Sequence, residues 1–357
     1  MKLLISGLTL FLMVMFPFTI MAQVTAQSLT DTTRFKYHGY FFKNEAMADT
    51  AELQGIREFA NMLVFSMVRI DSITPEMIEL IMEGKMHKLD QALFNEMGRR
   101  IDLLESMDYI TVAEAPFYPL IRFDRFEEYK KTLKILKKRV PQMDQLDYLY
   151  FWDEPDLNHK PGPEVMEKYI TEFKKVFPSV KVTTCYAIIN EESLNVVPPS
   201  NYDLLMIDPY MLMNEAREHA PADFERWYRS RLALGLEWVN KWNKPFLMVG
   251  DAFGSLSGKG GKQFPTRDVS LWYYITAMTQ ARCTGLLWFQ YGFVQTNENI
   301  AGITLDGPPQ DVLLLHREIG HTIFGSPSLL GFPMDIPEEP VIPEIIKEAQ
   351  KRLEYGK

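Results

Sequence analysis

The segment from Leu146 to Pro155 reads Leu-Asp-Tyr-Leu-Tyr-Phe-Trp-Asp-Glu-Pro, an apolar, aromatic run that ends in two adjacent carboxylates and a proline. Proline cannot continue a strand's hydrogen-bond ladder, so the run should stop there and leave Asp153 and Glu154 at a strand's C-terminal end. Two carboxyl groups at such a place suit acid–base work on a glycosidic bond, one of them protonating the departing oxygen. An acidic pair after a strand can also cap a helix or simply be solvated. What favours chemistry here is the pattern around the pair, because this strand is the fourth of eight and catalytic residues of parallel barrels sit at C-terminal strand ends.

The elements that must position the pair are legible as an alternation. The strand-like runs are Lys36 to Phe42, Met62 to Val68, Tyr109 to Glu114, Asp147 to Trp152, Val180 to Ala187, Tyr202 to Ile207, Phe246 to Gly250 and Gly285 to Gln290. Helical patterning intervenes at Thr50 to Ala60, Pro75 to Met82, Gln91 to Met107, Phe126 to Lys138, Pro163 to Phe177, Pro221 to Trp242, Arg267 to Arg282 and Pro309 to Phe324. The connection from Ile188 to Asn201 is proline-rich and carries only a short helix. Eight such units predict an α/β fold, a single-domain (β/α)8 TIM barrel spanning residues 33–326. An open doubly wound sheet is the alternative. Its Gly-rich first turn is missing, since Phe42-Lys-Asn-Glu-Ala46 holds no glycine, which argues against a dinucleotide or phosphate cradle.

With a barrel as the frame, the C-terminal rim can be read off. It gathers Glu114 and Tyr118 after the third strand, Asp208 and Tyr210 after the sixth, Asp251 after the seventh, and Trp288 and Gln290 on the eighth. The rim is acidic and aromatic, which suits a sugar whose C–H faces stack on rings and whose hydroxyls bond carboxylates and amides. Any one of these aromatics is more often core, and only their joint placement carries weight.

Glu154 is the expected general acid, desolvated by Tyr150, Trp152 and neighbouring rings so that its carboxyl stays protonated. Two partner schemes remain open. In one, the substrate's own 2-acetamido oxygen attacks the anomeric carbon, Asp153 orients the acetamido N–H, Tyr210 steadies the group and Trp288 floors the pocket. In the other, Asp251 faces Glu154 across the barrel. It acts as nucleophile at a separation of about 5–5.5 Å, or activates water at about 6.5–9.5 Å.

Trp152-Asp153-Glu154-Pro155, with the strand count and the apolar N-terminus, resembles the secreted bacterial (β/α)8-barrel glycoside hydrolases. Its Asp-Glu pair resembles that of the substrate-assisted β-N-acetylhexosaminidases. The resemblance implies that Glu154 is the acid and Asp153 the acetamido-orienting group, with Tyr210 and Trp288 as weaker matches. Chitinase-type relatives carry acidic residues at every second position before their Glu, where this chain has Tyr150 and Trp152. The large retaining clan carries Asn-Glu on the fourth strand and Glu on the seventh, where this chain has Asp153 and Asp251.

A secreted barrel could also bind glycan without cutting it, as part of a surface uptake system, and an acidic partner at catalytic distance from Glu154 separates the two readings. The chain has 357 residues and a formal net charge of -9, which argues against nucleic acid as a partner, while the acidic, aromatic rim points to an oligosaccharide or polysaccharide. No cofactor is implied and no metal, because the six histidines are scattered and lone His38 reads as a hydrogen-bonded wall residue.

Lys2 and the apolar run from Leu3 to Met21 read as a signal peptide over residues 1–22, placing the protein outside the cell or in the periplasm. No later segment is apolar enough to span a bilayer, so no stable membrane insertion is expected after cleavage. Cys185 and Cys283 could form one disulfide in an oxidising compartment, but lying in or beside buried elements they read rather as two free thiols. The Gly- and Ser-rich stretch from Gly254 to Gly261 is a candidate rim lid, and residues 327–357 form a tail with a short helix.

Overall fold

Short strands rich in Val, Leu, Met, Phe and Tyr, buried on both faces, are what a parallel sheet covered by helices requires. The computed structural model describes residues 35–42, 49–68, 72–114, 116–157, 161–210, 231–255, 264–292, 300–302 and 310–324. The eight principal strands are β1 (Tyr37–Phe42), β2 (Met62–Ser66), β3 (Ile110–Glu114), β4 (Tyr148–Asp153), β5 (Lys181–Tyr186), β6 (Leu204–Ile207), β7 (Phe246–Asp251) and β9 (Cys283–Tyr291). All pair in parallel with their sequence neighbours, and β9 returns to β1, closing the predicted (β/α)8 barrel.

The helices are α1 (Thr50–Arg57), α2 (Pro75–Met82), α3 (Gln91–Ser106), α4 (Tyr118–Arg122), α5 (Phe126–Arg139), α6 (Pro163–Val176), α7 (Ala233–Lys241), α8 (Arg267–Thr279) and α9 (Gln310–Phe324). Local chemistry starts several of them. Asp49, Thr74, Asp90 and Thr266 accept backbone N–H groups at the first turns of α1, α2, α3 and α8. Pro75 and Pro163 stand at the N-termini of α2 and α6, where a missing N–H costs nothing.

Two buried layers result. Met62, Val64, Val112, Leu204, Met206, Leu247, Val249 and Leu287 fill the barrel interior. A larger layer, including Phe59, Phe151, Trp152, Trp238 and Trp288, lies between the strands and the helices. α2 keeps the bounds predicted for it. Features not foreseen include the 3-10 turn Met86–Lys88 between α2 and α3 and the short helix α4. After β7, the three-residue strand β8 (Phe253–Ser255) pairs antiparallel with β10 (Ile300–Gly302). The expected signal peptide and tail, the first part of the predicted sixth helix (221–230) and positions 256–263 of the glycine-rich stretch lie outside the described residues. Cys185 and Cys283 are buried free thiols. Among the described residues no helix is long and apolar enough to cross a membrane.

Candidate active site

The site is built by an irregularity in β4. Tyr150 pairs with Thr183 and Asp153 with Cys185, so β4 advances one residue more than β5. In a regular strand, residues three apart face opposite ways. The extra residue is a β-bulge, which re-aims the chain. Tyr150 belongs to the barrel interior, while Phe151 and Trp152 both join the outer layer. Asp153 returns to Tyr150, whose hydroxyl donates to Asp153 Oδ1 at 2.6 Å.

The next residue turns sharply. Glu154 has φ 44, left-handed backbone that a non-glycine residue adopts at a cost. Its N–H reaches the Cys185 carbonyl at 3.0 Å, and its own carbonyl accepts from Leu157 N–H at 2.9 Å. Asp156, buried, pins this turn to the end of β5 by accepting the N–H groups of Ala187 and Ile188 at 3.2 and 2.8 Å. Asp156 is a positioning residue that no spacing in the sequence singled out.

The turn brings the Glu154 side chain close to Asp208, at the end of β6, near enough for the two carboxyl groups to act on one another. Like charges this close oppose ionising both carboxyls at once. Burial, followed by the charges of Glu154 and Asp153, pushes the Asp208 carboxyl well above the ordinary carboxylate range. Asp208 is 4% exposed and Asp251 fully buried, whereas Asp153 is exposed and Glu154 partly so. Tyr210 sits within the barrel mouth between Phe253 and Phe289, its ring centroid 5.8 and 5.7 Å from theirs, and within the field of Asp208 and Asp251. Glu114 ends β3 opposite Tyr150. Tyr118 stacks on Trp152 with centroids 4.1 Å apart and lies within the field of Asp153.

Sequence reasoning thus brought Glu114, Tyr118, Asp153, Glu154, Asp208, Tyr210 and Asp251 to one end of the barrel. It named Asp208 only as a sugar-binding residue and missed its nearness to Glu154. The side chain of Gln290 lies outside what is described.

Two expectations are corrected. Trp288 does not floor the mouth: it is fully buried on the outer face of β9. Its Nε1–H donates to His38 Nε2 at 2.9 Å, and its ring stacks on His316 at 3.7 Å. Inward-facing places on β9 fall to Leu287 and Phe289. Trp152 likewise faces the helices, so it does not help to desolvate Glu154. Gly250 is required behind Trp288, since a Cβ there would lie 2.6 Å from the indole. Trp288→Phe should therefore cost about 2 kcal/mol of stability through the lost donor and the loosened stack. Substrate KM should stay within about twofold, and a chemical-unfolding series alongside a KM determination separates this from a sugar-stacking role.

His38 is the wall residue expected. Its Nδ1 bonds the Phe59 carbonyl at 2.6 Å, and burial lowers its pKa to about 4. No group of three or more His, Cys, Asp or Glu among the described residues is arranged to hold a metal ion.

No protein-family model matches the chain, and no curated protein sequence matches it. Solved structures do. An endo-β-1,4-mannanase from Thermotoga petrophila superposes with a TM-score of 0.54 at 11% identity, over 83% of this chain and 79% of that one. A GH5-4 broad-specificity endoglucanase from Clostridium longisporum gives 0.52 at 13% identity, over 79% and 86%. A β-glucuronidase from an uncultured Clostridium gives 0.52 at 13%, over 80% of this chain but 50% of that one. This chain therefore spans about half the length of the glucuronidase. At these identities the likeness is one of fold, the barrel that these glycoside hydrolases carry.

Proposed function

We propose that this protein is a glycoside hydrolase that cleaves a glycosidic bond in an extracellular or periplasmic glycan, with Glu154 as general acid. The observation that carries the reading is the approach of Glu154 to buried Asp208 at the C-terminal mouth of the barrel. A carboxyl pair whose full ionisation is opposed by burial and mutual charge is a source of the proton that a departing sugar oxygen needs, and Glu154, being partly exposed, is the member that can deliver it. Asp208 then acts as a positioning residue that keeps a proton on the pair. The mouth also offers carboxylates and rings suited to a saccharide in Glu114, Asp153, Tyr118 and Tyr210. A glycan-binding barrel without activity has no need of a stored proton, and the strained turn at Glu154 would bring it no gain.

Of the two partner schemes, the substrate-assisted one has the support of exposure. Asp153 is open to solvent and oriented by Tyr150, so its carboxylate is accessible to accept an acetamido N–H, whereas Asp251 has no exposed surface. Asp153→Asn should therefore lower kcat on aryl N-acetylglucosaminides or N-acetylgalactosaminides by about 100-fold. Asp251→Asn should lower it far less. Parallel kinetics of the two variants on 2-acetamido and 2-hydroxy aryl glycosides test this. Activity confined to 2-hydroxy sugars and abolished by Asp251→Asn would favour Asp251 as the partner instead.

A further inference from the structure

The inserted α2 is unusual for a helix beside a barrel rim. Its sequence, Pro-Glu-Met-Ile-Glu-Leu-Ile-Met, is apolar on more than one side, yet only Ile81 is buried. Ile78 is 40% exposed, as is Ile73 just before the helix, and few other large apolar side chains of the described residues stand so open. These exposed groups do not lie on a convex surface. They border a cavity of about 400 Å³, walled by Val68, Met77, Ile81, Leu89 and Met97 together with Ile78. Its inner end is formed by Glu114, Tyr150 and Asp153, which belong to the candidate active site. The cavity is thus an apolar extension of the acidic mouth, roofed by the chain's insertion between β2 and α3. It is of a size that takes a ligand fragment. No lysine or arginine lines it among the described residues, so nothing there would compensate an anionic occupant. Methionines at positions 77, 86 and 97 give it an adaptable wall.

We infer that this cavity is a subsite for an uncharged apolar aglycone, an alkyl or aryl group, of a glycoside whose sugar occupies the carboxylate-lined mouth. The inference deepens the glycosidase reading and rests on it for the sugar end only. The apolar end is set by the cavity. A substrate of this class is amphiphilic, with hydroxyls donating to Glu114 and Asp153 and a hydrocarbon part leaving water against Ile78 and Met97. Each methylene buried contributes about a fourfold gain in affinity, so partial entry of an eight-carbon chain amounts to roughly 100-fold.

Binding, measured without turnover, tests the subsite independently of hydrolysis. Glu154→Gln is titrated calorimetrically with n-octyl β-D-glucopyranoside and with methyl β-D-glucopyranoside, below the octyl compound's micellar concentration. The octyl glycoside should bind at one site and about 100-fold more tightly than the methyl glycoside. Adding Ile78→Asp should cut that preference at least tenfold, and Ile73→Asp should act in the same direction. Both positions are exposed enough for the fold to tolerate a carboxylate, which a melting curve verifies. Phe123→Asp, which removes an exposed ring (59%) that is not among the cavity's lining residues, should leave the preference unchanged. Equal affinity for the two glycosides would overturn the subsite, as would an octyl preference indifferent to Ile78→Asp. If no glycoside is ever cleaved but the octyl preference follows Ile78, the hydrolase reading fails while the apolar site stands.

Discussion

Glu154→Gln is expected to lower kcat/KM on glycosides with alkyl or sugar leaving groups by about 1,000-fold, the range that general-acid catalysis supplies. Glutamine keeps the size of the side chain but cannot hand a proton to the departing oxygen. The loss should therefore depend on the leaving group. A 2,4-dinitrophenolate departs unprotonated, so dinitrophenyl glycosides should lose about tenfold or less. Binding should persist, because the mouth is shaped by the bulge in β4, the Asp156 pins and the inner core, none of which needs the Glu154 proton. A uniform loss across leaving groups would point to Glu154 as a structural or charge-stabilising group. Steady-state kinetics on an alkyl, a nitrophenyl and a dinitrophenyl glycoside of one sugar would decide.

The second large effect is on stability, and it arises behind the site. His38 and His316 are buried between β1, β9 and the helices α8 and α9, and burial lowers the pKa of both. His38 Nε2 accepts from Trp288, and His316 Nδ1 lies 3.0 Å from the Tyr40 hydroxyl. For His38, burial dominates, offset in part by its bond to the Phe59 carbonyl, and the folded value is about 4 against 6.5 unfolded. Between these values the unfolded chain binds more protons, so stability is full above pH 6.5 and is lost as pH falls toward 4. The total for this one group is about 3 kcal/mol, of which about 2 kcal/mol disappears between pH 7 and pH 5. Glu96, held down to about 2 chiefly by its bond to Arg99, loses its contribution below this window and does not obscure it. Urea unfolding at pH 7 and pH 5 should show this loss superposed on the opposite change from Asp208, whose carboxyl burial raises, and the like change from His316. His38→Gln, which can still accept from Trp288 and donate to Phe59 without titrating, should flatten it by about 2 kcal/mol. An unchanged slope in that variant would remove His38 as its source.

The alternation of short apolar strands with amphipathic helices was enough to place all eight barrel strands, because parallel strands buried on both faces and capped helices leave strong local signatures. The same burial hid which way single residues face. Cys283-Thr-Gly-Leu-Leu-Trp-Phe-Gln-Tyr291 is apolar on both sides, so no period of two told that Leu287 and Phe289 look inward and Trp288 outward. In β4 the bulge defeats parity altogether, setting Tyr150 and Asp153 on one face with two outward residues between them. The acids of the mouth were found because proline and strand ends mark them. The approach of Glu154 to Asp208 was not, since it joins residues just after β4 and β6 that only the barrel brings together. The β8–β10 pair escaped notice because three-residue strands carry no pattern.

The most direct measurement is the release of aglycone from a panel of aryl glycosides, including the N-acetylglucosaminide, N-acetylgalactosaminide, glucoside, mannoside and glucuronide, by the wild-type protein and by Glu154→Gln. Cleavage of at least one member by the wild type, reduced by about 1,000-fold or to background in the variant unless the leaving group is activated, is the expected result. Cleavage that survives Glu154→Gln with an unactivated leaving group would contradict the assignment of the acid. Binding of glycan oligosaccharides with no cleavage of any of them, or of the panel, would contradict hydrolysis itself.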